Sequence, residues 1–130
     1  MKKIILPILF ACFLITHVTA QVTVSGSASQ DGIYATLGAA ITAIGTSQSG
    51  QTIYIAISAS TTESASGISI GAGTWTSLTI YPTSADVILT SSVTSNALIQ
   101  FNGANNVTID GRQNRTGSTR SLTLSNTGTN

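Results

Sequence analysis

Ile-Tyr-Ile-Ala-Ile at residues 53–57 places isoleucine at every second position. Successive side chains of a strand point to opposite faces, so the isoleucines would share one face and Tyr54 and Ala56 the other. Six further short apolar runs occur at residues 68–70, 78–81, 87–89, 97–101, 107–109 and 122–124. Gly, Ser, Asn and Asp separate the runs and suit turns. The sequence therefore predicts a mostly β protein built from short strands.

Residues 36–44 depart from this alternation. Their apolar positions follow the spacing i, i+3, i+4, i+7, which makes one apolar face on a helix: Leu37, Ala40, Ile41 and Ile44. Gly45 is a suitable C-terminal stop because glycine accepts a left-handed conformation. Asp31 and Gly32 supply a turn before the segment. The pattern predicts one short amphipathic helix near the start of the strand-rich region.

Two architectures fit short strands that recur every 10 to 15 positions, a β-sandwich and a solenoid of stacked coils. The runs beginning at residues 53, 78 and 107 are 25 and 29 positions apart, which is a reasonable coil length. The loops between runs are short and rich in small residues. Both features favour the solenoid and leave the β-sandwich as the alternative.

Three segments carry a resemblance to a known family: DGIYATLGAAI at residues 31–41, GQTI at 50–53 and FNGANNVTIDG at 101–111. They resemble the N-terminal segment and the recurring coil sequences of pectin-lyase-like proteins. The resemblance covers residues 31 to 126 and implies a right-handed parallel β-helix whose first coil is capped by the amphipathic helix. Residues 21–130 would then be the N-terminal cap and first coils of a longer protein, because a solenoid needs a cap at both ends.

The first twenty residues have the order of a secretory signal peptide. Lys2 and Lys3 precede an apolar stretch at residues 4–18, and small or β-branched residues lead up to Ala20. We expect cleavage near Ala20 and Gln21, which makes the mature protein secreted or attached to the cell surface.

A transmembrane anchor and a lipidated Cys12 are the alternatives for this leader. The apolar run is shorter than the ~18 to 20 residues that span a bilayer. Phe10 stands where a lipoprotein signal usually has a small residue, and the chain stays apolar after Cys12. Both alternatives are weaker than cleavage.

The charge of residues 21–130 is low: three arginines oppose four carboxylates, which gives a formal charge of −1. The carboxylates are Asp31, Glu63, Asp86 and Asp110. We expect Asp31 to serve a turn and Glu63 and Asp86 to lie in loops. No basic cluster large enough for nucleic acid or anionic membranes is present.

His, Cys and Lys are absent from residues 21–130. This composition excludes Ser-His-Asp and Cys-His catalysis, ordinary zinc sites and disulfides. We therefore expect no catalysis, cofactor or metal in these residues, and no membrane contact after cleavage.

The candidate ligand-binding residues are Trp75, Asp110, Arg112 and Arg115. An arginine can hold a uronate carboxylate with two parallel N–H donors, and an exposed tryptophan can stack on a sugar ring. Enzymes of the resembled group use acidic residues, in some cases with calcium, and a basic residue near an acidic sugar. The structural alternatives are a turn held by Asp110 and a core position for Trp75.

These observations predict an exported surface or secreted scaffold that is adhesive or glycan-binding and has no catalysis in this segment. The alternative is the non-catalytic first part of a polysaccharide lyase or glycoside hydrolase with an active site beyond residue 130. The expected partners are a polysaccharide or cell-surface glycan, with self-association through the uncapped C-terminal coil.

Overall fold

Isoleucine alternation produces a strand at residues 52–57 whose inward side chains are completely buried. Ile53, Ile55 and Ile57 have no exposed surface, while Tyr54 and Ala56 between them are half-buried. Burying each aliphatic side chain contributes about 1.5–3 kcal/mol relative to leaving it exposed. The segment is therefore held as a strand by the core on one of its faces.

A computed structural model describes residues 19–129. Residues 1–18 of the predicted signal peptide, including Cys12, lie outside the described residues. The described elements are β1 (Val22–Ser25), β2 (Gly32–Tyr34), α1 (Leu37–Ile44), β3 (Thr52–Ile57), β4 (Thr61–Thr62), β5 (Ile68–Gly71), β6 (Ser77–Pro82), β7 (Val87–Ser91), β8 (Ile99–Asn102), β9 (Val107–Ile109), a 3-10 turn (Gln113–Arg115) and β10 (Leu122–Asn126).

The strands form three sheets. The largest has the order β2-β1-β3-β6-β9, the second β10-β7-β4, and the third β5-β8. In the largest sheet Ile55 lies opposite Ile80, which lies opposite Ile109. This register aligns apolar side chains on the inner face and leaves the intervening side chains on the outer face.

The prediction of a right-handed parallel β-helix is wrong. The strands form separate short sheets, and the largest is mixed because β1 pairs antiparallel with both β2 and β3. No solenoid and no closed sheet occurs in residues 19–129. The β-sandwich alternative is wrong too, because the other five strand pairs of the described residues are parallel.

The spacing of the apolar runs led to the wrong fold prediction because it reflects only the parallel strand pairs. Intervals of 25 and 29 residues correspond to the parallel pairs β3–β6 and β6–β9. They say nothing about β1 and β2, whose pairing is set by the turn between them. In that turn the Asp31 carboxylate accepts hydrogen bonds from the backbone N–H groups of Gly26 and Ser27 and from the Ser27 hydroxyl. The chain reverses there, so β2 runs antiparallel to β1.

The same turn lowers the pKa of Asp31. The Ser27 hydroxyl is the largest cause, followed by the backbone N–H groups of Ser27 and Gly26, since all three favour the charged carboxylate. Gly26 is required here because its φ is +80° and a Cβ would overlap the carbonyl oxygen of Thr52.

Helix α1 begins and ends as its spacing predicts. The Thr36 hydroxyl accepts a hydrogen bond from the backbone N–H of Ala39 at 3.1 Å, which is an N-cap. Gly45 ends the helix with a φ of +61°, and its N–H donates to the carbonyl of Ile41. Helix α1 packs chiefly against β5. No helix in residues 19–129 has the length and apolar character to cross a membrane.

Glu63 ties the helix to the second sheet. Its side chain is 5% exposed and accepts hydrogen bonds from the backbone N–H groups of Leu37 (3.0 Å) and Gly38 (2.8 Å). The hydroxyl of Thr61, in β4, donates a third at 2.6 Å. A carboxylate at this position satisfies two N–H groups of the first helical turn and complements the positive end of the helix dipole.

Replacing Glu63 by Gln should lower the free energy of unfolding by about 1–3 kcal/mol, because an amide NH₂ would face a buried donor instead of accepting from it. Urea unfolding of the full chain measures the change. Asp86→Asn is the matched control, since Asp86 is exposed and has a positive φ that Asn tolerates. Equal stability of Glu63→Gln and the parent would show that the carboxylate does not anchor the helix.

Candidate functional site

The outer face of the five-stranded sheet carries hydroxyl-bearing side chains in register. Ser25, Tyr54, Thr79 and Thr108 lie opposite one another across β1, β3, β6 and β9. Neighbouring strands are about 4.8 Å apart, so these side chains form a row on one flat surface. The row follows from the same alternation that builds the core on the other side of the sheet.

Arg115 lies over two tyrosines of this face. Its Cζ atom is 4.5 Å from the ring centroid of Tyr54 and 4.8 Å from that of Tyr81. The tyrosines come from adjacent strands, β3 and β6. A guanidinium over an aromatic ring at an exposed site contributes about 0.5–1 kcal/mol. We call Tyr54, Tyr81 and Arg115 the tyrosine–arginine cluster.

The loop that presents Arg115 is held at both ends and has an unusual backbone. The N–H of Ser121 donates to the carbonyl of Gly111 at 2.7 Å, and the Gln113 side chain donates to the carbonyl of Thr83 at 3.0 Å. Asn114 and Arg115 have φ values of +51° and +61°. A left-handed conformation costs an arginine about 1–2 kcal/mol, so the contacts around the loop must hold it there.

Asp110 and Arg112 form an ion pair beside the cluster. The Arg112 Nε and Nη2 atoms donate to the two carboxylate oxygens of Asp110 at 2.9 and 2.7 Å, and the Arg112 backbone N–H donates at 3.0 Å. These hydrogen bonds lower the pKa of Asp110 to about 2, the Arg112 side chain being the largest cause. The Asp110 carboxylate in turn raises the pKa of Arg112. Asp110 is therefore ionised at neutral pH, and the Arg112 guanidinium is engaged in this ion pair.

Positive charge is concentrated on this loop. The arginines of the described residues are Arg112, Arg115 and Arg120, and no lysine or histidine occurs among residues 19–129. Within that range the Arg115 side chain makes no ion pair or hydrogen bond, and it is exposed. Other residues of the same loop line a polar hollow of about 350 Å³: Gln113, Asn114, Thr116, Gly117 and Thr119. The loop thus offers a guanidinium that stacks on two tyrosines but keeps its N–H groups free of acceptors within the described residues.

Trp75 lies elsewhere and is buried. Its side chain is 4% exposed, and its Nε1–H donates to the carbonyl of Asn105 at 2.9 Å. The indole helps to line an apolar pocket of about 180 Å³ with Ile41, Ile44, Ile70 and Leu78. A buried ring has no face to offer a sugar, so Trp75 takes the core position that was its structural alternative. The structure brings Asp110, Arg112 and Arg115 together and leaves Trp75 apart.

Tyr54 and Tyr81 are the site residues that sequence reasoning missed. Both occupy outward positions of alternating strands, since Tyr54 lies between Ile53 and Ile55 and Tyr81 follows Ile80. A large aromatic side chain at the solvent-facing position of a strand was the available signal. Their closeness to Arg115 depends on pairing between β3 and β6, whose paired residues are 25 positions apart in sequence.

The arrangement suits binding by hydrogen bonds. No group of three or more His, Cys, Asp or Glu side chains converges within residues 19–129. The Glu63 carboxylate is committed to the helix, and the Asp110 carboxylate is committed to Arg112. What remains at the surface are guanidinium N–H groups and hydroxyls, since Arg115 lies over the rings of Tyr54 and Tyr81.

The carboxyl of Asp110 should titrate near pH 2, well below its ordinary value of 3.8. Because the pKa is lowered in the folded protein, the stabilisation by the pair is complete above about pH 4 and is lost as the pH falls towards 2. Carbon-13 NMR of the carboxyl measures the midpoint. Arg112→Gln should move it towards 3.8, and the control Arg120→Gln should leave it near 2. A parent midpoint near 3.8 would contradict the ion pair.

Comparison with protein-family models, with curated proteins and with solved structures finds no match to this chain. The resemblance of residues 31–41, 50–53 and 101–111 to pectin-lyase-like proteins therefore stays an untested prediction.

Proposed function

We propose that this protein is an exported, non-catalytic scaffold that binds saccharides through the outer face of its five-stranded sheet. The observation that carries the proposal is the exposed guanidinium of Arg115 lying over Tyr54 and Tyr81. Export rests on the leader pattern of residues 1–20, which ends in a signal-peptidase type of cleavage sequence.

The cluster and the hydroxyl row beside it offer the hydrogen-bonding groups that a saccharide can use. The rings of Tyr54 and Tyr81 lie under the Arg115 guanidinium and hold it in position at the surface. Thr79 and Thr108 lie in register with Tyr54 and add hydroxyls that donate and accept. The face therefore combines a positioned guanidinium with hydroxyl partners for the O–H groups of a sugar.

The charge of the loop favours an acidic saccharide. Arg112 is neutralised by Asp110, whereas the Arg115 guanidinium has no anionic partner within residues 19–129. A guanidinium presents N–H donors in a planar fork that fits a carboxylate or a sulfate ester with two parallel hydrogen bonds. Arg115 would supply the charged contact, and the two tyrosines would hold its guanidinium in position.

Low affinity at a single site agrees with a surface role. One charge-assisted contact and a few neighbouring hydroxyls give modest binding, and many copies on a cell surface would strengthen attachment through multivalency. The protein would then hold a cell or a secreted partner on an acidic polysaccharide without altering it.

Arg115→Gln should weaken binding of an acidic oligosaccharide by about tenfold or more, because a hydrogen bond to a charged group contributes about 1.5–3 kcal/mol. Calorimetry with a uronate oligosaccharide, and with a neutral oligosaccharide of the same length, measures the loss. Arg120→Gln is the matched control: it removes the same charge from the same loop but makes no tyrosine contact. We expect less than a twofold change for that variant.

Two results would overturn the proposal. One is the absence of binding to either oligosaccharide by the parent protein. The other is equal weakening by Arg115→Gln and Arg120→Gln, which would mean that general positive charge, and not the tyrosine–arginine cluster, attracts the ligand.

A further inference from the structure

An apolar pocket of about 180 Å³ lies between helix α1, strand β5 and the start of β6. Its floor consists of side chains that are at most 4% exposed: Ile44, Ile70, Trp75 and Leu78. Thr42, Thr46 and Ser69 line the same pocket and are exposed, so they form its rim. The pocket therefore combines a buried apolar floor with an entry from solvent.

Hydrogen bonds between the two segments that flank the pocket fix its walls. The backbone N–H of Thr74 donates to the carbonyl of Thr46 at 2.9 Å, and the backbone N–H of Gln48 donates to the Thr74 hydroxyl at 2.8 Å. The Gln48 side chain is buried and donates to the carbonyl of Ile44 at 2.6 Å. These bonds join the end of α1 to the segment before β6, so the pocket is formed before a ligand arrives, as in most small-molecule sites.

The Trp75 ring is a fixed wall of the pocket. Its Nε1–H donates to the carbonyl of Asn105, and the ring cannot swing into the pocket without losing this hydrogen bond. Gly73 leaves room for the ring, because a Cβ at that position would overlap it. The indole therefore keeps one flat aromatic face towards the space beside Ile70 and Leu78.

The lining selects against charge. No charged side chain of residues 19–129 lines the pocket, and none of the buried side-chain nitrogens and oxygens in that range lacks a hydrogen-bond partner. A charged ligand would lose its water at the floor and gain no partner in return. An apolar ligand has no such cost and gains contacts with aliphatic side chains and the indole.

We infer that this pocket binds a neutral, apolar small molecule of about the size of a benzene ring. The volume sets the size, because a cavity of about 150 Å³ with an aliphatic and aromatic lining stays dry and admits benzene. The pocket and the tyrosine–arginine cluster share no residue, so this binding is independent of the proposed saccharide binding.

NMR titration with benzene tests the inference on the full chain, expressed with its first twenty residues in an exporting bacterial host. Trp75 is the only tryptophan of the sequence, so its indole N–H gives a single signal that reports on this pocket. We expect a saturable shift of that signal at millimolar benzene or below, because so few ligand atoms supply limited binding energy. Benzoate has the same ring with a negative charge and should leave the signal unchanged.

Two variants reduce the space in the pocket at different points. Ile41 is half-buried in its lining, and Ile41→Phe adds volume from the helix side. Gly71 has no positive φ, and a Cβ there would lie 3.4 Å from Thr46, so Gly71→Val narrows the rim. Each should weaken benzene binding about tenfold or more, because the filled space no longer admits the ring.

Ile33→Phe is the matched control, since it makes the same exchange as Ile41→Phe at a residue that is 66% exposed on β2 and outside the pocket. It should bind benzene within about twofold of the parent, as surface substitutions have small effects. The inference is overturned if the parent shows no saturable shift, or if benzoate binds as strongly as benzene. Parent-strength binding by both filling variants, or equal weakening by Ile33→Phe, would also overturn it.

Discussion

The register between β3 and β6 is the constraint on which the core and the candidate site both depend. It sets Ile53 against Leu78 and Ile55 against Ile80, all four without exposed surface. A slip of one residue would turn Tyr54 into the core and the isoleucines into solvent. The burial of the aliphatic rows therefore fixes the outward direction of Tyr54 and Tyr81. The position of Arg115 follows, because the loop after β9 is anchored to the carbonyl of Thr83, just beyond β6.

Glu63 fixes the position of helix α1 in a comparable way. Helix α1 is only eight residues long, and such a helix is marginal by itself. The apolar face of α1 packs on the core. The carboxylate of Glu63, the residue after β4, accepts hydrogen bonds from the first two backbone N–H groups of the helix. The buried charge is compensated by three donors, which is the condition under which burial of a carboxylate is tolerated. One side chain thus joins the helix, the second sheet and the core.

Alternation and helical spacing were sufficient to predict strands and the single helix, because both patterns report local burial. Strand pairing was not predictable in the same way. The antiparallel pairing of β1 depends on the turn at Gly26 and Asp31. The regular spacing of the apolar runs therefore led to the wrong prediction of a β-helix. Asp110, Arg112 and Arg115 were found because they are close in sequence. Tyr54 and Tyr81 were missed because long-range pairing brings them together. Glu63 lies just after β4 and outside a strand, as expected, but its contact with the helix was missed because its donors lie 25 and 26 residues earlier.

The sheet face provides the platform for the proposed ligand, while the loop carrying Arg115 adds the charged contact. Backbone amide NMR during titration with a uronate oligosaccharide tests this division of roles most directly. The largest shift changes should map to Tyr54, Thr79, Tyr81 and Arg115. Changes centred instead on the apolar pocket between α1 and Trp75, or no changes at all, would contradict it.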